Sequence, residues 1–240
     1  MRIDKLLANM GYGSRKEVKQ ILKKGSVNQN DIVIKDGKKQ VDPEKDTITV
    51  FGEQVIYKPF VYFMLHKPAG VITATEDSRE STVIDLLEAD DLVLEPFPVG
   101  RLDKDTEGLL LITNDGKLAH QLLSPKKEVG KTYYAIIEGK VTEDDVEAFA
   151  EGVTLDDGYL TKPAILTILK SDTESEIHVT ITEGKFHQIK RMFEAVDKYV
   201  TYLKRISMGD WQLDNDLDKG EYRELSVEEL EYLQSLTVKK

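Results

Sequence analysis

An α+β fold is expected for this 240-residue chain, with a small helix-helix-strand module ahead of a larger domain built on a mixed, largely antiparallel sheet. Three observations point to it. Residues 1–58 hold two short amphipathic helical patterns followed by brief β-type runs between turn signals. From Pro59 onward, longer strand patterns alternate with capped helical stretches, as in a domain whose helices fall between strands. Charge divides the chain at the same place: 12 Lys/Arg against 8 Asp/Glu in residues 1–58, and 21 against 36 in residues 59–240. A basic module therefore precedes an acidic domain within a net charge of −11.

In the module, Ile3, Leu6, Leu7 and Met10 recur at helical spacing until Gly11 and Gly13 interrupt them. Ser14-Arg15-Lys16-Glu17 has the form of a capping box opening a second helix. Val18, Ile21 and Leu22 make its apolar stripe, Arg15, Lys16, Lys19 and Lys23 project elsewhere, and Gly25 ends it. Ser26 to Asp31 and Lys35 to Lys38 read as turns around the β-type runs Ile32-Val33-Ile34 and Thr47-Ile48-Thr49-Val50.

In the larger domain, residues 61–65 are expected to form a strand running into the loop His66-Lys67-Pro68-Ala69-Gly70, with Val71-Ile72-Thr73 continuing beyond. Pro98 to Gly108 is a glycine-bracketed turn that sets Arg101 beside Asp103, and the apolar run Leu109 to Thr113 behind it reads as a buried strand. Residues 131–137 and 176–182 are further strands. Thr142 and Ser226 begin capping boxes of two helices, the first facing inward through Val146 and Phe149, the second through Leu230, Leu233 and Leu236. Phe186, Ile189, Met192 or Phe193, and Val196 predict a helix whose other face presents His187, Lys190 and Arg191.

Composition excludes several chemistries. Without cysteine there is no disulfide framework, thiolate nucleophile or cysteine-based metal site. The four histidines, at 66, 120, 178 and 187, lack metal-site spacing. No phosphate-binding Gly-x-x-x-x-Gly-Lys-Ser/Thr loop, dinucleotide fingerprint or Gly-x-Ser-x-Gly elbow occurs. No apolar run is long enough to span a bilayer, and the residues after Met1 do not form a secretory signal, so a cytoplasmic location is expected.

The order and basic second helix of residues 1 to about 58, with Arg-Ile-Asp-Lys-Leu-Leu and Gly-x-x-Ser-Arg-Lys, resemble the RNA-binding domain named after small-subunit ribosomal protein S-four. Lys67-Pro68-x-Gly70, Gly100-Arg101-Leu102-Asp103, Lys131-x-Tyr133 and Gly184-Lys185-Phe186-His187-Gln188-Ile189-Lys190-Arg191-Met192 together resemble the ordered motifs of the pseudouridine synthases. The tail Leu203-Lys204-Arg205-Ile206-x-x-Gly209, followed by Gly220 to Leu225, is similar to the branch of that family acting on bacterial ribosomal RNA.

That resemblance implies an isomerase that converts a specific uridine of 16S rRNA, uridine 516, into pseudouridine. It implies neither metal nor organic cofactor, no membrane, and a monomer acting on RNA in a partly assembled small subunit. It assigns the reacting carboxylate to Asp103, with Lys190 as its cationic partner. Lys190 stands where many synthases have arginine, and a point charge pairs less rigidly than a guanidinium fork. Tyr133 would stack on uracil and take the proton from carbon 5. Leu203 would pack against the base, and Arg101 would replace the extruded nucleotide in the helix. Lys67, Lys185, Arg191, Lys204 and Arg205, with Arg15, Lys16, Lys19 and Lys23, would contact RNA. The alternatives are a large-subunit (23S) synthase of the same branch and a non-catalytic RNA-binding ribosome-assembly factor. A carboxylate-pair hydrolase built on Asp103 and Asp105 is a weaker third.

Overall fold

The computed structural model describes residues 1–237 as two units, Met1–Val61 with Leu87–Pro96, and Tyr62–Leu86 with Phe97 onward. In the first unit, α1 (Ile3–Asn9) and α2 (Arg15–Lys23) precede β1 (Val27–Gln29), β2 (Ile32–Val33), β3 (Ile48–Val50) and β4 (Glu53–Gln54). The strands pair antiparallel in the order β2-β1-β3-β4. Ile3, Leu6, Leu7, Val18 and Leu22 from the helices meet Val27, Ile48 and Val50 from the strands in one apolar core. The expected capping box is present: Ser14 N donates to Glu17 Oε2 at 2.7 Å, and Glu17 N donates to Ser14 Oγ at 3.4 Å.

One segment departs from its reading. Residues 26–31 were expected to be a turn; Asn30 and Asp31 do turn, but residues 27–29 form β1, an inner strand of this sheet. Its polar Asn28 and Gln29 mask a strand that buries only Val27.

In the second unit, β5 (Tyr62–Lys67), β6 (Phe97–Pro98) and β7 (Glu107–Thr113) lead to α3 (Gly116–Leu123), β8 (Lys131–Glu138) and α4 (Glu143–Glu151). Then come β9 (Ile165–Lys170), β10 (Glu174–Ile181), α5 (Gln188–Glu194), β11 (Tyr199–Met208), β12 (Trp211–Gln212), β13 (Tyr222–Glu224) and α6 (Val227–Ser235). The sheet runs β13-β5-β7-β11-β8-β10-β9, with β6 on β7 and β12 on β11. Every pairing is antiparallel except β7 with β11. Around the β8 half, Ile137, Phe149, Ile177, Met192 and Phe193 form one core; around the β7 half, Met64, Leu109, Leu111, Leu118, Trp211 and Leu233 form another. The expected caps of α4 and α6 hold, with Thr142 N donating to Asp145 and Ser226 N to Glu229, both at 2.8 Å. No helix among the described residues is long and apolar enough to cross a membrane.

Two features of this sheet shape the loop between β6 and β7. The β7–β11 seam is tight: Gly108, at φ 106°, pairs with Arg205, and a Cβ there would collide with the Arg205 carbonyl oxygen. The second is Lys67, which ends β5, where a loop was expected. Its Nζ donates to the carbonyls of Pro68 at 2.9 Å, Lys104 at 3.3 Å and Thr106 at 2.9 Å. Fully buried, Lys67 is a support for the loop; the expected RNA contact is excluded because the ammonium never reaches the surface. Burial pulls its pKa down to about 8 from the usual 10.5, against the opposing charges of Asp105, Glu107 and Asp103.

Residues 71–73, expected to extend the strand, instead form a loop that reaches over the same turn. Thr73 Oγ1 donates to Leu102 O at 2.8 Å and accepts from Leu102 N at 3.1 Å, while Gly70 N donates to Lys104 O at 2.8 Å.

Gly108→Ala should cost at least about 3 kcal/mol in urea unfolding, because backbone on both sides of the seam must move. Gly116→Ala is the control: it opens α3 with nothing within 4 Å of its Cβ site and should be neutral or slightly stabilising. Equal effects at the two positions would contradict the tight seam. Lys67→Met should destabilise by about 3 kcal/mol, since three carbonyls lose their donor. The folded-state pKa of Lys67 is depressed, so the unfolded chain binds more protons between pH 8 and 10.5, and native stability gains over that window. The deficit of Lys67→Met should therefore widen from pH 8 to pH 10, as read by paired denaturation curves.

Candidate active site

An open cleft of about 320 Å³ lies over the face of the sheet formed by β8 and β11. Strand alternation decides which side chains it receives. In the β8–β11 register Arg205 is opposite Tyr133 and Leu203 opposite Ala135. Lys131, Tyr133, Leu203 and Arg205 thus line the cleft, whereas Lys204, between the last two, lines a depression on the other face. The expected RNA contact of Lys204 is accordingly not at this cleft. The β6–β7 loop supplies Arg101, Leu102 and Asp103 to one wall, and Lys185 to Lys190 supply the other.

Residues 183–193 differ in one respect from the expected helix. The helix begins only at Gln188; His187 precedes it with φ 49°, in the left-handed region. Ile189, Met192 and Phe193 are buried as expected, but Phe186 is exposed and outside the stripe. The turn before α5 is held by polar groups that hydrophobic periodicity does not reveal. Glu183 accepts from Tyr159 Oη at 2.7 Å, from Lys162 N at 2.9 Å and from Gln188 Nε2 at 2.9 Å, and Gln188 Oε1 accepts from Lys185 N at 2.9 Å.

Asp103 is partly exposed and faces two cations or potential cations: Lys190 Nζ and His187 Nε2, each at 3.8 Å from a carboxylate oxygen. Lys190 is nearer to Asp105, donating to both of its oxygens at 2.7 Å. The ammonium is shared between two carboxylates, with its hydrogen bonds on Asp105 and only its field on Asp103. For Asp105, desolvation raises the pKa, but the hydrogen bond and charge of Lys190 outweigh it and the net shift is downward.

Tyr133 and Leu203 are 7% and 6% exposed and form an apolar floor beside Asp103. Arg101 is exposed at the wall. Lys131 donates to Val129 O at 3.4 Å; burial, and next the Arg205 charge, bring its pKa down to about 8. Arg205 itself is buried, with Nε donating to Leu109 O at 2.8 Å, so it braces the seam and is not a surface phosphate clamp.

Lys185 lies with its ammonium 4.5 Å from the centre of the Tyr159 ring. Arg191 turns away from the cleft to Asp156 and Asp157, which already occupy the guanidinium expected to contact RNA. In the first unit, Arg15, Lys16, Lys19 and Lys23 are all exposed along α2. Thr73, which fixes Leu102 between Arg101 and Asp103, carried no sequence signal beyond a lone hydroxyl in a loop. The assembled groups can do nucleophilic or proton-transfer chemistry: a carboxylate within reach of cations, at the rim of an apolar floor that bears a phenol.

Residues 61–195 match the RNA pseudouridylate synthase family and residues 1–48 match the S4 domain. The uncharacterized RNA pseudouridine synthase YtzG of Bacillus subtilis is 54% identical over 97% of this chain and 98% of its own. The ribosomal small subunit pseudouridine synthase A of Vibrio vulnificus is 41% identical over 96% of this chain and 98% of its own. A crystal structure of a pseudouridylate synthase superposes with a TM-score of 0.68 at 36% identity, covering 97% of this chain and 99% of that one. By its sequence and its fold, this chain is a member of the RNA pseudouridylate synthase family.

Proposed function

We propose that the protein isomerises a specific uridine of small-subunit (16S) ribosomal RNA, uridine 516, acting as a monomer on RNA in a partly assembled subunit. Residues 59–240 are read as the catalytic domain and residues 1–58 as an RNA-binding domain, with Arg15, Lys16, Lys19 and Lys23 as phosphate contacts. The supporting observation is that Arg101, Asp103, Tyr133, Lys190 and Leu203, far apart in sequence, line one cleft. The small-subunit choice is favoured by relatives such as the Vibrio vulnificus enzyme, whose name specifies that substrate.

In this reading the C1′–N1 bond of the uridine breaks, the base turns, a C1′–C5 bond forms, C5 loses its proton and N1 gains one. Asp103 is the nucleophile, with the Lys190 ammonium 3.8 Å from its carboxylate, and the bond it makes to the substrate is broken again by the end of the reaction, which regenerates the carboxylate. Lys190, held by Asp105 through hydrogen bonds at 2.7 Å, keeps its ammonium 3.8 Å from Asp103 and stabilises the carboxylate when it is released. Tyr133 and Leu203 hold the uracil, and Tyr133 takes the C5 proton. Arg101 fills the space left in the helix, offsetting a cost of a few kcal/mol for extruding the base. Lys185 contacts backbone phosphate.

Incubation with 16S RNA containing uridine tritiated at C5 should release tritium, and Asp103→Asn should lower the rate by about a thousandfold or more. Release that persists in Asp103→Asn removes Asp103 from the chemistry. Tyr133→Phe should retain RNA affinity while slowing release by about a hundredfold or more. Arg101→Ala should cost about a hundredfold in kcat/KM on structured RNA, and much less on a short single strand that needs no base extrusion. Mapping pseudouridine in ribosomal RNA from cells lacking the gene tests the target: a lost site in 23S RNA would move the substrate to the large subunit. RNA binding without any release would leave the assembly-factor reading.

A further inference from the structure

We infer that Phe186 and His187 form a stacking platform for a nucleobase of the substrate strand next to the target uridine. This rests on the isomerase reading for the identity of the strand, and on the geometry of the rim for the platform itself.

Phe186 is 70% exposed, among the most exposed large apolar side chains of the chain. It has no place in the core, because the buried stripe of α5 is complete with Ile189, Met192 and Phe193. Its ring is nevertheless ordered against a neighbour: it stacks on His187 with centroids 3.8 Å apart and planes 17° apart. His187 in that stack has φ 49°, a conformation costing a non-glycine residue about 1 kcal/mol. The turn is kept in this shape by the Glu183 and Gln188 hydrogen bonds. An exposed aromatic face, a strained backbone that presents it and a polar frame that fixes it are the parts of a preformed binding surface.

The surroundings select the ligand. Both rings line the cleft, and His187 Nε2 lies 3.8 Å from Asp103, so the stack runs from the reacting carboxylate to the rim. Lys185, Lys190 and Arg101 share that rim. A flat π-face amid cations fits a nucleobase with its phosphates, since every base can stack on an aromatic ring while lysines hold the backbone. A purely apolar protein partner would gain nothing from those charges. The target uracil belongs on the floor with Tyr133 and Leu203, which leaves Phe186 to a neighbouring base.

The test uses the full-length protein and a 16S RNA transcript. Phe186→Ala should weaken equilibrium binding by about 5- to 150-fold, with the loss appearing in KM more than in kcat, and Phe186→Trp should restore it. No charge is removed, so the slope of log Kd against log salt should stay the same. Abasic nucleotides placed singly beside the target should reproduce the loss at one position, and there Phe186→Ala should add nothing further. Unchanged affinity in Phe186→Ala, a changed salt slope, or losses that simply multiply at every abasic position would each overturn the platform. A native protein that binds the transcript without tritium release refutes the isomerase reading while the affinities still judge the platform; one that does not bind refutes both.

Discussion

One buried ammonium sets the form of the loop on which the site depends. Lys67 is fully buried, and a charge withdrawn from bulk water must recover several kcal/mol from its surroundings. It does so through three carbonyls, two of them from the turn that bears Asp103 and Asp105. The neighbouring carboxylates repay part of the same cost, so ion and loop stabilise each other. Thr73 closes the other side by holding both backbone groups of Leu102. The result is a short polar segment with little freedom of its own, mounted on β7, whose residues are all buried. Precise placement of a reacting carboxylate depends on such a support more than on the carboxylate's immediate neighbours.

Net charge is a poor guide to what this protein binds. The larger domain is strongly acidic by sequence, yet Arg101, Lys131, Lys185, Lys190 and Arg205 converge on one cleft. Several acidic residues are consumed locally, Asp156 and Asp157 by Arg191, Glu107 by Lys219 and Tyr202, and so contribute little at the cleft. What matters for a polyanion is the local field, which falls away within about 8 Å at physiological salt.

Much of the fold was legible. Strong periodicity and caps located α1, α2, α4, α6, β7, β8 and β10, because each places large apolar groups at regular intervals or satisfies orphan amides through a recognisable box. β1 was hidden by polar side chains on a thin two-layer module, and the start of α5 by the apolar Phe186, which fits the spacing but points to solvent. The turn bearing Arg101 and Asp103 and the basic face bearing Lys190 were each visible alone, but only motif resemblance joined them; nothing in spacing relates residue 103 to residues 133, 190 and 203. What no pattern conveyed was partnership: that Lys67 is a strut, that Arg191 is taken by Asp156 and Asp157, and that Lys190 lies closer to Asp105 than to Asp103. Each is a question of which of several nearby charges wins, decided by ångströms.

The parallel seam between β7 and β11 has a consequence for when the protein becomes competent. Arg205 and Leu109 meet across 96 positions of chain, and a contact so distant in sequence forms only after a large loop has been closed. Strand pairs with shorter connections, β9 with β10 first and then β8 with β10 and β5 with β7, are free to associate earlier. Leu203 and Arg205 enter the cleft wall only when β11 is laid between β7 and β8. During synthesis, a nascent chain would pass through most of its sheet before it possessed a cleft, and the insertion of β11, with only the short β12 and β13 of the sheet still to come, would bring Leu203 and Arg205 into it together.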